Sequence, residues 1–294
     1  MFLYKGRELK SRQQVANQAV HDYKNVFLKS KLDLKKLLNI PLNKSKILVL
    51  GSGYRYGDVV GFYPFCKEVV GIDIIDAYYR DGFISEFLSS YNIRNIPFGF
   101  FRTINRRYAL RTYYEIFDKY SGHTINHNRL NLISTKELDL PFGDESFDAV
   151  ISNAVTEHVN DLDSFFKEAS RILKPGGITY HVHHNYCSLS GAHMGMTIQY
   201  DNPWAHLRKI LPEESYCYSE DLNRIRKDAL VKKFSKTFPL SILKGIDKNH
   251  NKRGGALFEE EGLEYITDEI RLELSNYSDD ELFTRSYLLV GRKV

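Results

Sequence analysis

KILVLGSGYRYGDVVG, residues 46–61, decides the fold. A β-favouring run at residues 47–50 enters Gly51 and Gly53, and a helix can follow. Strand, glycine turn, helix is how an open parallel sheet begins, and bare glycines let a ligand approach the main chain. Asp73 ends the next apolar run, EVVGID, about twenty residues later, where a carboxylate can accept both hydroxyls of a ribose. The pair points to an adenosine-containing ligand. A dinucleotide turn would need glycine at position 56, but Tyr56 stands there and Gly57 comes one residue late. No Lys-Ser/Thr follows, which excludes a phosphate loop for nucleoside triphosphates.

The rest of the chain alternates around that start. Residues 12–39 carry apolar positions near helical spacing. FDAVIS reads as an apolar strand. NDLDSFFKEASRILKPGG is the clearest helix, capped by Asn160 or Asp161 and striped by Leu162, Phe165, Phe166, Ala169, Ile172 and Leu173. ITYHVHH follows at once, so strand, helix and strand alternate as in a parallel sheet. Residues 77–129 are rich in Tyr, Phe and Arg and read as an inserted helical subdomain or lid. Residues 186–260 read as a substrate-side lid region, and SYLLVGRK as the last strand.

The 294 residues are 43% hydrophobic and 27% charged, a globular composition. A net charge of +4, with basic residues mostly scattered, does not imply a nucleic-acid partner. Cys66, Cys187 and Cys217 include no C-x-x-C pair, which argues for reduced thiols and against a disulfide or structural-zinc framework. No run suits a secretory leader or a membrane span. A cytoplasmic location is expected.

LPFGDESFDAVISNAVTEHVNDLDSFFKEASRILKPGG resembles the core of class I S-adenosylmethionine-dependent methyltransferases, especially their small-molecule branch. The resemblance covers about residues 45–75 and 130–183, with the final strand as a further match. It implies an α/β, Rossmann-like, seven-stranded and mostly parallel sheet, helices on both faces, in a single domain over residues 1–294. It implies S-adenosyl-L-methionine as cofactor. Gly51, Ser52 and Gly53 would lie along its methionine part, Asp73 would hold the ribose, and Glu137 and Leu138 would lie beside the adenine. Asn153 and Ala154 would line the methyl-transfer end, with His158 nearby. Three departures stand out: Val49 where the family carries an acidic residue, Arg55 for the third glycine, and Lys136 near the adenine-side acid.

An alcohol acceptor must lose its proton, and histidine is the usual base. His181, His183 and His184 end the strand after KPGG, and alternation sends the first two to one face and His184 to the other. His183, His193 and His181 are the candidate bases. They are also readable as packed or hydrogen-bonded histidines. Two of the strand histidines with His193 make a conceivable metal site, but no acidic residue stands at a tight spacing, so no metal is expected. Trp204, His206 and Arg208 in NPWAHLR suit a sugar platform, or core for the lone Trp. Arg102, Arg106 and Arg107, with Arg94 and Arg111, form either a clamp for phosphate or a solvated basic face. The SGAH loop, PW-x-HLR and the ending DDELFTRSYLLVGRKV resemble methyltransferases of bacterial capsule and surface-polysaccharide functions.

The function expected from this reading is O-methylation of a sugar or phosphorylated small-molecule precursor of a surface glycan. Two alternatives stay open: a nicotinamide-dependent oxidoreductase, and a non-catalytic S-adenosylmethionine-binding protein.

Overall fold

Residues 47–50 form the buried part of a central strand, with water excluded from both faces. The computed structural model describes residues 12–53, 55–74, 96–135, 139–194, 196–211, 222–238, 242–244 and 261–294. Its strands are β1 (Lys46–Leu50), β2 (Glu68–Asp73), β3 (Asn131–Ser134), β4 (Phe147–Asn153), β5 (Leu173–His184), a three-residue edge segment β6 (Ile242–Lys244) and β7 (Ser286–Arg292). They hydrogen-bond in the order β3-β2-β1-β4-β5-β7-β6. Pairings are parallel from β3 through β5, with Ile47 opposite Ala149, while β7 runs antiparallel to both β5 and β6.

Strand alternation divides the core in two. Ile47, Val49, Ala149, Ile151, Tyr180 and Val182 pack on one face, under α1 (Arg12–His21), a π-helical stretch (Asp22–Phe27), α2 (Leu28–Leu37), α3 (Gly57–Phe62) and α4 (Ile96–Ser121). Leu48, Leu50, Phe147 and Val150 pack on the other, under α5 (Leu162–Ile172) and α6 (Lys227–Thr237). Continuous apolar runs are what a sheet covered on both faces requires. Asp161 caps α5 by accepting a hydrogen bond from Ser164 N–H at 3.0 Å.

Two expectations need correcting. Within the segment read as a lid, α4 is a core element: Leu110, Tyr113, Tyr114 and Phe117 are buried against α1 and the sheet, and Tyr113 stacks on Phe117 at 4.9 Å. Its aromatic and arginine content disguised an apolar stripe at Leu110, Tyr113, Tyr114 and Phe117. Likewise α6, inside the region 186–260, buries Leu230 and Phe234 beside Phe166. Residues 77–95 lie outside the described residues. Phe117→Ala should therefore cost about 3–5 kcal/mol of stability in urea unfolding; a loss under 1 kcal/mol would restore the lid reading.

The strand order reverses beside β1, because the chain runs β1-β2-β3 one way and β4-β5 the other. Ligands of open α/β sheets bind outside the carboxyl ends of the strands at such a point. Gly51 follows β1 there, and Asn153 ends β4.

Candidate active site

Gly51 and Gly53 both take φ of 65°, the left-handed region that favours glycine. The turn is pinned to β2: Ser52 N–H donates to Ile72 O at 2.9 Å, and Gly53 N–H donates to Asp73 Oδ2 at 2.6 Å. Among the described residues a Cβ at Gly53 would meet nothing within 4 Å, so the turn is open beside the Asp73 carboxylate. Across the switch point, Asn153 Oδ1 is buried without a hydrogen-bond partner, and Ala154 adopts a φ of 52°. An open glycine cradle, an adjoining carboxylate and an orphaned amide oxygen fit a bound nucleoside-type cofactor.

The three departures from the family pattern resolve in different ways. Arg55 turns away from the cradle, lying 3.9 Å from Asp22 and 5.3 Å over the Tyr113 ring, while its carbonyl accepts from Tyr114 Oη. Tyr56, at φ 35°, is buried and stacks on Tyr114. Val49 is core on β1. Lys136, Glu137 and Leu138 lie outside the described residues.

Asp58, on the first turn of α3, supplies a carboxyl that the sequence reading passed over. It lines a cavity of about 10 Å³ with Val26, Ser30, Ser152, Asn153 and Tyr180. Burial, then the charge of Asp22, pushes its pKa up to about 7 from 3.8. A raised folded-state value means that the stability it contributes is complete below the unfolded value and is lost as pH rises through about 7. Wild-type stability should fall between pH 5 and pH 8, and Asp58→Asn should lessen that fall; an unchanged pH profile would contradict the assignment.

At the carboxyl ends of β4 and β5 a second group of side chains converges. Glu157 sits in a 3-10 turn, Thr156–His158, held down by Asn223, whose side chain donates to Thr156 O and Val159 O. Glu157 is 2% exposed, and burial pushes its carboxyl pKa up to about 8. Oε2 accepts from His184 N–H at 3.4 Å, while Oε1 is buried without a partner. His184 Nδ1 lies 2.8 Å from His193 Nε2, and the two rings stack at 4.7 Å. His158 is exposed, its ring 5.3 Å from that of His193. The SGAH loop presents His193 at φ 54°, after a turn so tight that a Cβ on Gly191 would lie 2.1 Å from Tyr186 O.

Other predicted site residues lie elsewhere. His181 is 0% exposed, bonded to Ser152 Oγ at 2.7 Å and to Thr179, and packed beside Phe165 and Phe166. His183 is equally buried, with Nδ1 2.9 Å from Thr156 Oγ1. Odd positions of β5 face the α5–α6 core, so both are packed histidines rather than acceptor-facing bases. Burial pushes the pKa of each down to about 3. Trp204 is 0% exposed, packed with Leu189, Ile270 and Phe283 in a satellite core, and offers no platform. His206 is bonded to Tyr186 O, and Arg208 makes a bidentate pair with Glu273 at 2.7 and 3.0 Å. Arg106 and Arg107 are half-buried neighbours on α4, pointing in different directions around the helix, and Arg111 pairs with Glu115. The side chain of Arg102, and Arg94, lie outside the described residues.

Residues 113–181, from α4 through most of β5, match the methyltransferase domain family. The match takes in Asn153, Ala154, Glu157 and His158 but not the β1 turn. Sterol 24-C-methyltransferases of Aspergillus fumigatus and Gibberella zeae are each 39% identical over 51 residues, 17% of this chain. The chain spans only 14% and 13% of the length of these relatives. Among solved structures, Haemonchus contortus phosphoethanolamine N-methyltransferase 2 with S-adenosyl-L-methionine aligns at a TM-score of 0.49 and 13% identity, over 99% of this chain and 61% of that one. The geranyl diphosphate C-methyltransferase of Streptomyces coelicolor aligns at 0.47 and 14%, over 98% and 86%. Among the described residues no helix is long and apolar enough to cross a membrane.

Proposed function

We propose that this chain transfers a methyl group from S-adenosylmethionine to an oxygen of a small hydroxyl-bearing acceptor. The observation that carries the reading is the glycine turn that opens beside Asp73 at the β1/β4 switch point, next to methyltransferase-domain sequence. Bound there, the cofactor supplies a methyl group activated by its sulfonium.

The chain's residues have distinct tasks in this reading. Asp73 accepts the ribose hydroxyls while its Oδ2 keeps Gly53 N–H in place. Gly51 and Gly53 let the ligand lie against the main chain. Asp58 takes the part that Val49 cannot, a carboxylate for the α-ammonium of the methionine moiety, close to Asn153. A half-buried carboxyl of this kind favours a bound cation. The acceptor lies at the ends of β4 and β5, beside His158 and His193, with the hydroxyl held in line.

A sugar or phosphorylated precursor of a surface glycan is the finer acceptor class, and the SGAH loop at this edge is what favours it. Trp204, His206 and Arg208 take no part. A nicotinamide cofactor fits less well, because buried Tyr56 occupies the position where a dinucleotide turn needs glycine.

The test uses methyl-labelled S-adenosylmethionine with small-molecule extracts and a panel of nucleotide sugars. Acceptor-dependent label transfer by the wild type, lost in Asp73→Ala, is the expected result. Equal transfer by both proteins would remove this site from the reaction.

A further inference from the structure

We propose that Glu157, His184 and His193 form a binding site for one divalent transition-metal ion of the zinc class. One ligand atom from each lies within 4.8 Å of the others, though the residues come from three segments: the turn after β4, the end of β5, and the SGAH loop. The sequence offered no acidic residue near the histidines. The fold supplies Glu157 from the turn after the neighbouring parallel strand.

Four features distinguish this group from a chance cluster. Glu157 Oε1 is buried and has no hydrogen-bond partner, an arrangement that costs free energy unless a cation or proton satisfies it. His184 Nδ1 and His193 Nε2 are already 2.8 Å apart. Two donors at ~2.0–2.1 Å from a tetrahedral ion stand about 3.3 Å apart, so a small opening of the pair admits one. His184 Nε2 lies 2.9 Å from Ser190 Oγ, which donates to Glu261 Oε1 at 2.6 Å. An outer carboxylate acting through a hydroxyl fixes the ring so that Nδ1 keeps its lone pair, as the outer partners of metal-bound histidines do. Finally, the tight turn at Gly191 and the left-handed backbone at His193 hold that ring over His184.

Two imidazoles and one carboxylate suit zinc or a neighbouring first-row ion better than calcium or magnesium, which favour oxygen donors. Three protein ligands leave a coordination position open, and the exposed His158 ring lies 5.3 Å from that of His193. Its role in catalysis rests on the methyltransferase reading, whereas the site itself does not. In that reading an acceptor hydroxyl takes the open position and its proton passes to water more readily. Its oxygen then forms the new bond to the methyl carbon as the carbon–sulfur bond breaks, leaving the electron pair on sulfur.

The test is a calorimetric titration of the tag-free, chelator-treated full chain with zinc sulfate. One ion should bind per chain, at micromolar Kd or tighter. Glu157→Gln and His193→Ala should each weaken binding at least about tenfold, and His123→Ala, at an exposed position, should not. No binding by the wild type, or unchanged affinity in both site variants, would overturn the proposal. Because a buried substitution can unfold the chain, zinc-edge X-ray absorption of the wild type gives an independent reading. Two imidazoles with oxygen support the site, and thiolate or oxygen-only ligation overturns it. Titrating S-adenosylhomocysteine in the same preparations separates the two proposals: zinc bound without it leaves the metal site standing and removes methyl transfer, and the reverse pattern does the opposite.

Discussion

Asp73→Ala should lose at least about 100-fold in affinity for S-adenosylhomocysteine. In the proposed complex this carboxylate accepts from two ribose hydroxyls, and each hydrogen bond to a charged group contributes roughly 1.5–3 kcal/mol, so losing both exceeds the 2.7 kcal/mol or so of a hundredfold change. The substitution also strands Gly53 N–H, which donates to Asp73 Oδ2 at 2.6 Å, and so loosens the turn. Asp73→Asn retains an oxygen for Gly53 N–H and one hydroxyl, and should fall between the two. Calorimetric titration gives the affinities, and a melting curve shows whether the fold survives. Affinity within threefold of wild type in Asp73→Ala would show that the ribose lies elsewhere.

The second large effect separates the two glycines of the turn. A Cβ at Gly51 would lie 2.1 Å from Val155 Cγ2, on a residue already at φ 65°. Left-handed backbone costs an L-residue roughly 1–2 kcal/mol and overpacking a further 1–3 kcal/mol, so Gly51→Ala should destabilise the protein by about 2–5 kcal/mol. Gly53→Ala carries the backbone cost alone, because no described residue lies within 4 Å of the methyl group it would add. That methyl would instead occupy the cleft assigned to the ligand. Gly53→Ala should therefore stay folded and bind S-adenosylhomocysteine weakly, while Gly51→Ala unfolds at lower urea. Equal stability with equal binding in both variants would contradict the geometry.

Much of this architecture was legible in the order of residues. The apolar runs of β1 and β4, the stripe and stop of α5, and the glycine turn with Asp73 are local patterns, and local patterns survive folding. Other features depend on which chain segments the sheet brings side by side. Parallel pairing of β4 with β5 is what places Glu157 next to His184, 27 residues away, and no spacing rule links the two. Alternation along β5 correctly separated His184 from His181 and His183, but whether a strand face looks into a core or a cleft depends on the helices that cover it. Phe165, Phe166 and Phe234 seal His181, which residue type alone cannot reveal. Trp204 illustrates the same point: its large apolar surface found a core of Leu189, Ile270 and Phe283 instead of a sugar. In α4, the arginines attracted attention while Tyr113, Tyr114 and Phe117 governed the packing. Asp58 was overlooked because its significance lies in the cavity around it and in the charge of Asp22.

The central claim is that the open turn at residues 51–53, with Asp73, holds an adenosyl-methionine. Titrating the purified chain with S-adenosylhomocysteine, with NAD as control, tests it most directly. One site of micromolar Kd, about −8 kcal/mol, for S-adenosylhomocysteine and none for NAD is the expected result. Binding of NAD alone, or of neither ligand, would contradict it.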